Sequence, residues 1–117
     1  MGATVLIVDD HPTFRKFARR LLEQAGFSVV GEAADAAGAI ASTRELRPSA
    51  VLLDILLPDR SGLEVAAELA KEDAPPSVIL TSSRSEQDLG VRLREVPARG
   101  FIPKASLTAA SFAELVE

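Results

Sequence analysis

Two kinds of apolar pattern alternate along this chain. Short, mostly apolar runs rich in β-branched residues occupy positions 4–8, 27–30, 50–53, 77–81 and 100–102. Their length and continuity predict strands covered on both faces. Between them, apolar residues recur at three- and four-residue spacing, as on one face of a helix. Phe14, Phe17, Ala18, Leu21, Leu22 and Ala25 mark the first such face, with Arg15, Lys16, Arg19, Arg20 and Glu23 opposite. Pro12 suits the first turn of that helix and Gly26 its end. A second helix is expected from a cap at Asp35 to about Leu46, ahead of Pro48, with a face that is mostly alanine plus Ile40 and Leu46. A third is expected over residues 63–71 and is closed by Asp73-Ala74-Pro75-Pro76. A fourth, over residues 85–95, is interrupted by Gly90 and stopped by Pro97. A last one, capped by Ser106 or Thr108, holds Phe112, Leu115 and Val116.

Strict alternation of strand and helix implies right-handed crossovers and a parallel sheet with helices on both faces. Such sheets bind ligands at the carboxyl ends of their strands. The chain has 117 residues, which suits a single domain spanning 1–117. Hydrophobic residues make up 47% but aromatic ones only 4%, so aliphatic side chains and alanine must fill the core. There is no cysteine, which excludes disulfides and thiolate metal sites and fits a cytoplasmic setting. The first residues carry no basic segment, and the apolar run at 5–8 is far too short for a signal or membrane span. A formal net charge of −4 argues against direct nucleic-acid binding by this domain. The pattern leaves two readings of the end: the chain continues beyond Glu117, or the last helix is short.

The chemistry-bearing residues sit where the apolar runs stop. Asp9 and Asp10 follow the first run, Asp54 the third, Thr81 ends the fourth, and Lys104 follows the fifth. Carboxylates at the tips of buried strands are costly unless something positive joins them. Three that converge form a hard oxygen site suited to Mg²⁺, with the main-chain carbonyl of Leu56 as a further donor. Asp54, a single carboxylate beside the loop 55–62, is the best candidate for a nucleophile toward phosphorus. Lys104 and Thr81 would then meet phosphoryl oxygens. His11, the only histidine, cannot build a histidine metal cluster and is read as a solvated residue at the helix start.

These segments carry a family resemblance. Val-Leu-Ile-Val-Asp-Asp-His-Pro, Val-Leu-Leu-Asp-Ile-Leu-Leu-Pro-Asp-Arg-Ser-Gly, Val-Ile-Leu-Thr-Ser-Ser and Gly-Phe-Ile-Pro-Lys-Ala, in that order, resemble the receiver domain of bacterial two-component response regulators. The resemblance covers essentially the whole chain. It implies an α/β, flavodoxin-like fold: a doubly wound, five-stranded parallel sheet in the order 2-1-3-4-5. It implies that Asp54 accepts a phosphoryl group from a histidine kinase or phosphotransfer protein, with Mg²⁺ held by Asp10 directly, by Asp9 partly through water, and by Asp54 and the Leu56 carbonyl. It further implies that Thr81 and Lys104 read the phosphoryl group, that Phe101 is the aromatic switch residue, and that phosphorylation promotes a homodimer. Such a domain catalyses its own phosphorylation and slow dephosphorylation without being a turnover enzyme. Asp-Asp-His-Pro and Phe-Ile-Pro-Lys are similar to receivers fused to helix-turn-helix output domains, an analogy under which a DNA-binding domain would follow Glu117. The chain departs from the family where Ala105, not proline, follows Lys104, where Phe101 lacks a tyrosine hydroxyl, and where Gly90 and Pro97 weaken a helix. A trans peptide is expected after Lys104. Two other readings stand beside this one: a Mg²⁺-dependent phosphohydrolase of the aspartyl-phosphate type, and a docking module that is never phosphorylated.

Overall fold

The computed structural model describes residues 3–85, 87 and 93–116. Five strands and four helices alternate within them. They are β1 (Thr4–Val8), α1 (Pro12–Gln24), β2 (Ser28–Ala33), α2 (Ala36–Leu46), β3 (Ala50–Asp54), α3 (Gly62–Leu69), β4 (Ser77–Ser82), β5 (Gly100–Pro103) and α4 (Ala109–Val116). Every strand pair is parallel, and the order is β2-β1-β3-β4-β5. The α/β fold and strand order expected from the sequence are those observed.

Alternate residues of each strand serve opposite faces of the sheet, and the core divides accordingly. Leu6, Val8, Val51, Leu53, Val78 and Leu80 pack with Ala36 and Ala39 of α2 and with Val65, Ala66 and Leu69 of α3. Val5, Ile7, Leu52, Ile79 and Ile102 pack with Ala18 and Leu22 of α1 and with Phe112 of α4. All five residues of β3 are buried, as its central place requires. Phe27 meets Phe112 edge to face at 5.2 Å, so two of the few aromatic rings close one end of this layer.

The helix ends are set by local chemistry. Pro12 occupies the first turn of α1 and Gly26, at φ 95°, leaves it in the left-handed region. Asp35 caps α2 by accepting from the Gly38 amide at 2.7 Å. Ser61 and Glu64 form a reciprocal capping box on α3. Thr108 accepts from the Ser111 amide at 3.0 Å and so caps α4.

Several expected boundaries shift. β3 includes Asp54 itself, and β2 extends to Ala33, beyond the expected end at position 30. Most of the expected helix over 85–95 lies outside the described residues, and its last three, Leu93–Glu95, form a 3₁₀ turn. Phe17 and Leu46, counted as core-facing from their spacing, are 51% and 41% exposed.

The link between β3 and α3 is the tightest point of the fold. The Gly62 amide donates to the Ile55 carbonyl at 2.7 Å, which brings the start of α3 onto the end of β3. A Cβ at Gly62 would overlap the Asp54 carbonyl oxygen and sit 2.8 Å from Ile55 Cα. Both are backbone atoms of buried residues at the end of β3, which cannot yield cheaply. Gly62→Ala is therefore expected to destabilise the domain by about 2–3 kcal/mol, read as a lowered urea midpoint with an unchanged slope.

Candidate functional site

The carboxyl ends of β1, β3 and β5 bring three charged groups into contact. Asp9 leaves β1 with its amide donating to the Ala33 carbonyl at 3.0 Å, and its side chain has no exposed surface. Asp54 ends β3, also buried. Lys104 follows β5 at the start of the 3₁₀ turn Lys104–Ser106. Its Nζ lies 2.6 Å from Asp9 Oδ2 and 3.3 Å from Asp54 Oδ2, and only 14% of the side chain is exposed. The Lys104–Ala105 peptide is trans, as expected.

Asp54 Oδ1 accepts from the Leu56 amide at 3.0 Å, which folds the loop back over the carboxylate. Burial is the main influence on the Asp54 carboxyl and pushes its pKa above the usual carboxylate value. The Leu56 hydrogen bond opposes this, the nearby Asp9 charge reinforces it, and Lys104 offsets it only in part. Burial acts to lower Lys104, but the two carboxylates outweigh it and hold the ammonium above its ordinary value. Lys104 is thus held in its charged form, while the charged form of Asp54 is disfavoured.

Asp10 stands beside this pair at the mouth of the site. Asp9, Asp10, His11 and Asp54 each offer a ligand atom, and these atoms lie within 4.8 Å of one another. Asp9 Oδ2 and Asp10 Oδ1 are buried without a well-directed hydrogen bond, and what approaches them is the Lys104 ammonium and the His11 ring nitrogen respectively. Unsatisfied carboxylate oxygens in a cluster suit a small, hard divalent ion such as Mg²⁺. Asp9, Asp10 and Asp54 could hold it, with a main-chain oxygen from the adjacent Leu56 segment. His11 is 65% exposed, in keeping with a solvated position, yet its ring is not free. Nδ1 lies 3.1 Å from both Asp9 Oδ1 and Asp10 Oδ1, and the His11 amide donates to Asp9 Oδ1 at 2.8 Å.

Thr81 and Phe101 lie at the same edge in different relations to it. Thr81 is opposite Asp54 in register on one side and opposite Ile102 on the other. Its hydroxyl is buried and donates to the Ile102 carbonyl at 2.6 Å, toward β5. Phe101 is half-buried on β5, level with Leu80, and packs against the core layer shared with α2 and α3.

The fold also recruits residues that their sequence positions do not mark. Arg15, on what reads as a solvated helix face, donates from Nη1 to the Asp9 carbonyl at 2.6 Å and from Nε to Glu32 Oε1 at 3.0 Å. Arg19 meets Glu32 Oε2 at 2.7 Å. Burial acts to raise the Glu32 carboxyl, but the Arg19 and Arg15 hydrogen bonds prevail and lower it. This arginine–glutamate bridge ties α1 to β2 and braces the backbone of Asp9. The only advance signal is a charged residue, Glu32, just past an apolar run. Asp59 is the second such residue. Its carboxylate accepts from the amides of Ala36 at 2.8 Å and Ala37 at 3.1 Å, capping α2 from the β3–α3 loop. Those bonds, the Ala36 one foremost, hold its pKa below the usual value.

Comparison with known proteins places this geometry. The family profile described as the response regulator receiver domain matches residues 5–116. The chemotaxis protein CheY of Thermotoga maritima is 33% identical over 104 residues, covering 89% of this chain and 87% of that protein. The transcriptional regulatory protein PdtaR of Mycobacterium tuberculosis is 33% identical over 100 residues, covering 86% of this chain but 48% of its own length. The chain thus spans about half of that regulator. Among solved structures, a signal receiver domain from Mycobacterium tuberculosis is 31% identical with a TM-score of 0.89, covering 98% of this chain and 96% of that one. A LuxR-family two-component response regulator from Aurantimonas is 32% identical with a TM-score of 0.85, covering 98% and 86%. No described helix is long and apolar enough to cross a membrane.

The raised Asp54 carboxyl has a consequence for stability. A carboxyl whose folded value exceeds its unfolded one weakens folding at pH above the folded value, and the penalty disappears as pH falls below the unfolded value. Asp54→Asn is expected to raise the thermal unfolding midpoint at neutral pH without divalent ions. The gain should shrink as pH falls into the ordinary carboxylate range. Thermal melts of both proteins across that range, with Lys104 still paired to Asp9 in the variant, test this.

Proposed function

Because this chain belongs to the receiver domain family of two-component response regulators, a family of signalling domains, we propose that its residues 1–117 form one receiver domain with Asp54 as phosphoryl acceptor. The observation that carries this is the Lys104 ammonium set between the Asp9 and Asp54 carboxylates at a buried strand edge. An Asp54 carboxylate oxygen attacks phosphorus in line. The new P–O bond forms as the bond from phosphorus to the kinase imidazole nitrogen breaks, and the product is an acyl phosphate. Little covalent assistance is needed, and positioned positive charge is the main requirement.

Lys104 supplies one such charge and passes from Asp9 to a phosphoryl oxygen. The Leu56 amide, already aimed at Asp54, orients the nucleophile. The Thr81 hydroxyl gives up the Ile102 carbonyl and turns to a second phosphoryl oxygen. Asp9, Asp10, Asp54 and the Leu56 carbonyl would hold Mg²⁺, which would supply further charge neutralisation. The added group carries up to about two negative charges, enough to bias a two-state element. We assign that element to Thr81 and Phe101, whose strands adjoin. A histidine kinase or phosphotransfer protein is the donor. A partner, a second copy or an output domain beyond Glu117 receives the signal in the cytoplasm.

Incubation with a small-molecule phosphoryl donor tests the reading directly. With Mg²⁺, intact-protein mass spectrometry should show one hydroxylamine-sensitive phosphoryl group, and chelation should remove it. Asp54→Asn should take up none, and Lys104→Ala should slow uptake by about a hundredfold or more. Phosphate carried on another residue, or unchanged uptake by Asp54→Asn, would falsify the assignment. Beryllofluoride with Mg²⁺ should shift the backbone amides of Thr81, Phe101 and Lys104.

A further inference from the structure

A lysine on a four-carbon stem is a poor positioning device. Its side chain has many rotamers to lose, and an ammonium is equally content with any nearby anion. Besides the two carboxylates, Lys104 meets an aromatic ring: Nζ lies 4.5 Å from the centroid of Phe14. That is within the range where the negative face of the ring attracts a cation.

The ring is itself held in place. Phe14 sits in the first turn of α1, whose start is set by Pro12, and is half-buried against the core layer containing Ile7, Ile102 and Leu107. Phe17 braces it at 6.2 Å between centroids, which gives a role to a phenylalanine that is otherwise half exposed. The Arg15–Glu32 bridge fixes the same turn of helix from its polar side. Phe14 is thus a rigid element carried by β1 and α1, whereas Lys104 is carried by β5. The ring thus meets the ammonium from a helix that carries neither of its two carboxylate partners.

We propose that Phe14 is a positioning residue for Lys104: its ring retains the ammonium at the acceptor site while the lysine exchanges its carboxylate partner for a phosphoryl oxygen. This rests on the acceptor reading of Asp54. The shortest contact of Lys104 is with Asp9, not with the acceptor. A phosphoryl group on Asp54 must draw the ammonium away from that contact. During the exchange the ionic partners change and the ring does not. An aliphatic side chain of the same bulk fills the space but leaves the ammonium free to follow solvent.

The test separates the ring face from its bulk. In the unaltered protein, ring-current shielding should displace the Lys104 ε-methylene protons upfield, and Phe14→Leu should abolish that displacement. Phe14→Leu should slow phosphoryl uptake from a small-molecule donor by about fivefold, while Phe14→Tyr stays within about twofold of the parent. In a Lys104→Met background, Phe14→Leu should produce no additional slowing, because the ring acts through the lysine. Should Phe14→Leu fail to fold, Phe14→Met takes its place. Equal slowing by the Tyr and Leu variants, full slowing by Phe14→Leu without Lys104, or an unshielded ε-methylene in the parent would each overturn the proposal while leaving Asp54 as acceptor. Absence of uptake by the unaltered chain would instead overturn the acceptor reading, and this one with it.

Discussion

Two carboxylates are buried at the end of a parallel sheet, and one ammonium is shared between them. Much of the structure can be understood from what that arrangement demands. Asp9 and Asp54 lie on adjacent strands, so sheet pairing alone holds two like charges together. Burial raises the cost of each charge, and proximity raises it further. Lys104 answers both, but it comes from β5, which is separated from β3 by β4. The cluster therefore exists only when β1, β3, β4 and β5 are all paired, and no single strand pair can assemble it.

Around that cluster the fold places supports that work on backbone as well as side chains. Arg15 and Glu32 grip the turn after β1, and Asp59 joins the loop after β3 to the start of α2. Gly62 lets α3 begin directly against the Asp54 carbonyl. The first of these contacts bears on the Asp9 backbone and the last on that of Asp54, the two buried carboxylates of the cluster. Stability lost at the site is recovered in its surroundings, a common arrangement where function needs a charge in an unfavourable place.

The strands and acidic residues were legible because the signal is local. An aspartate that stops a buried apolar run is visible as such, and Asp9, Asp54 and Lys104 each end one. Helix limits at Pro12, Asp35 and Gly26 were legible for the same reason, since each residue acts within a turn of its own position. What was hidden depends on partners far along the chain. Phe17 has the right periodicity for the core, but periodicity does not reveal where the neighbouring element stops. Asp59 caps a helix that begins 23 residues earlier, and Glu32 is bonded by Arg15 across a crossover. The direction of the Thr81 hydroxyl is a rotamer choice made by tertiary contacts, which composition and spacing do not encode.

The bond from Thr81 to Ile102 has one more implication. A hydroxyl has a single proton to give, and this one is already spent on stitching an edge strand of four residues to its neighbour. Any anion that competes for it must first make good about 1 kcal/mol of lost interstrand bonding. The bond that seals the margin of the sheet thus sets the least attraction an anion must offer to turn this hydroxyl.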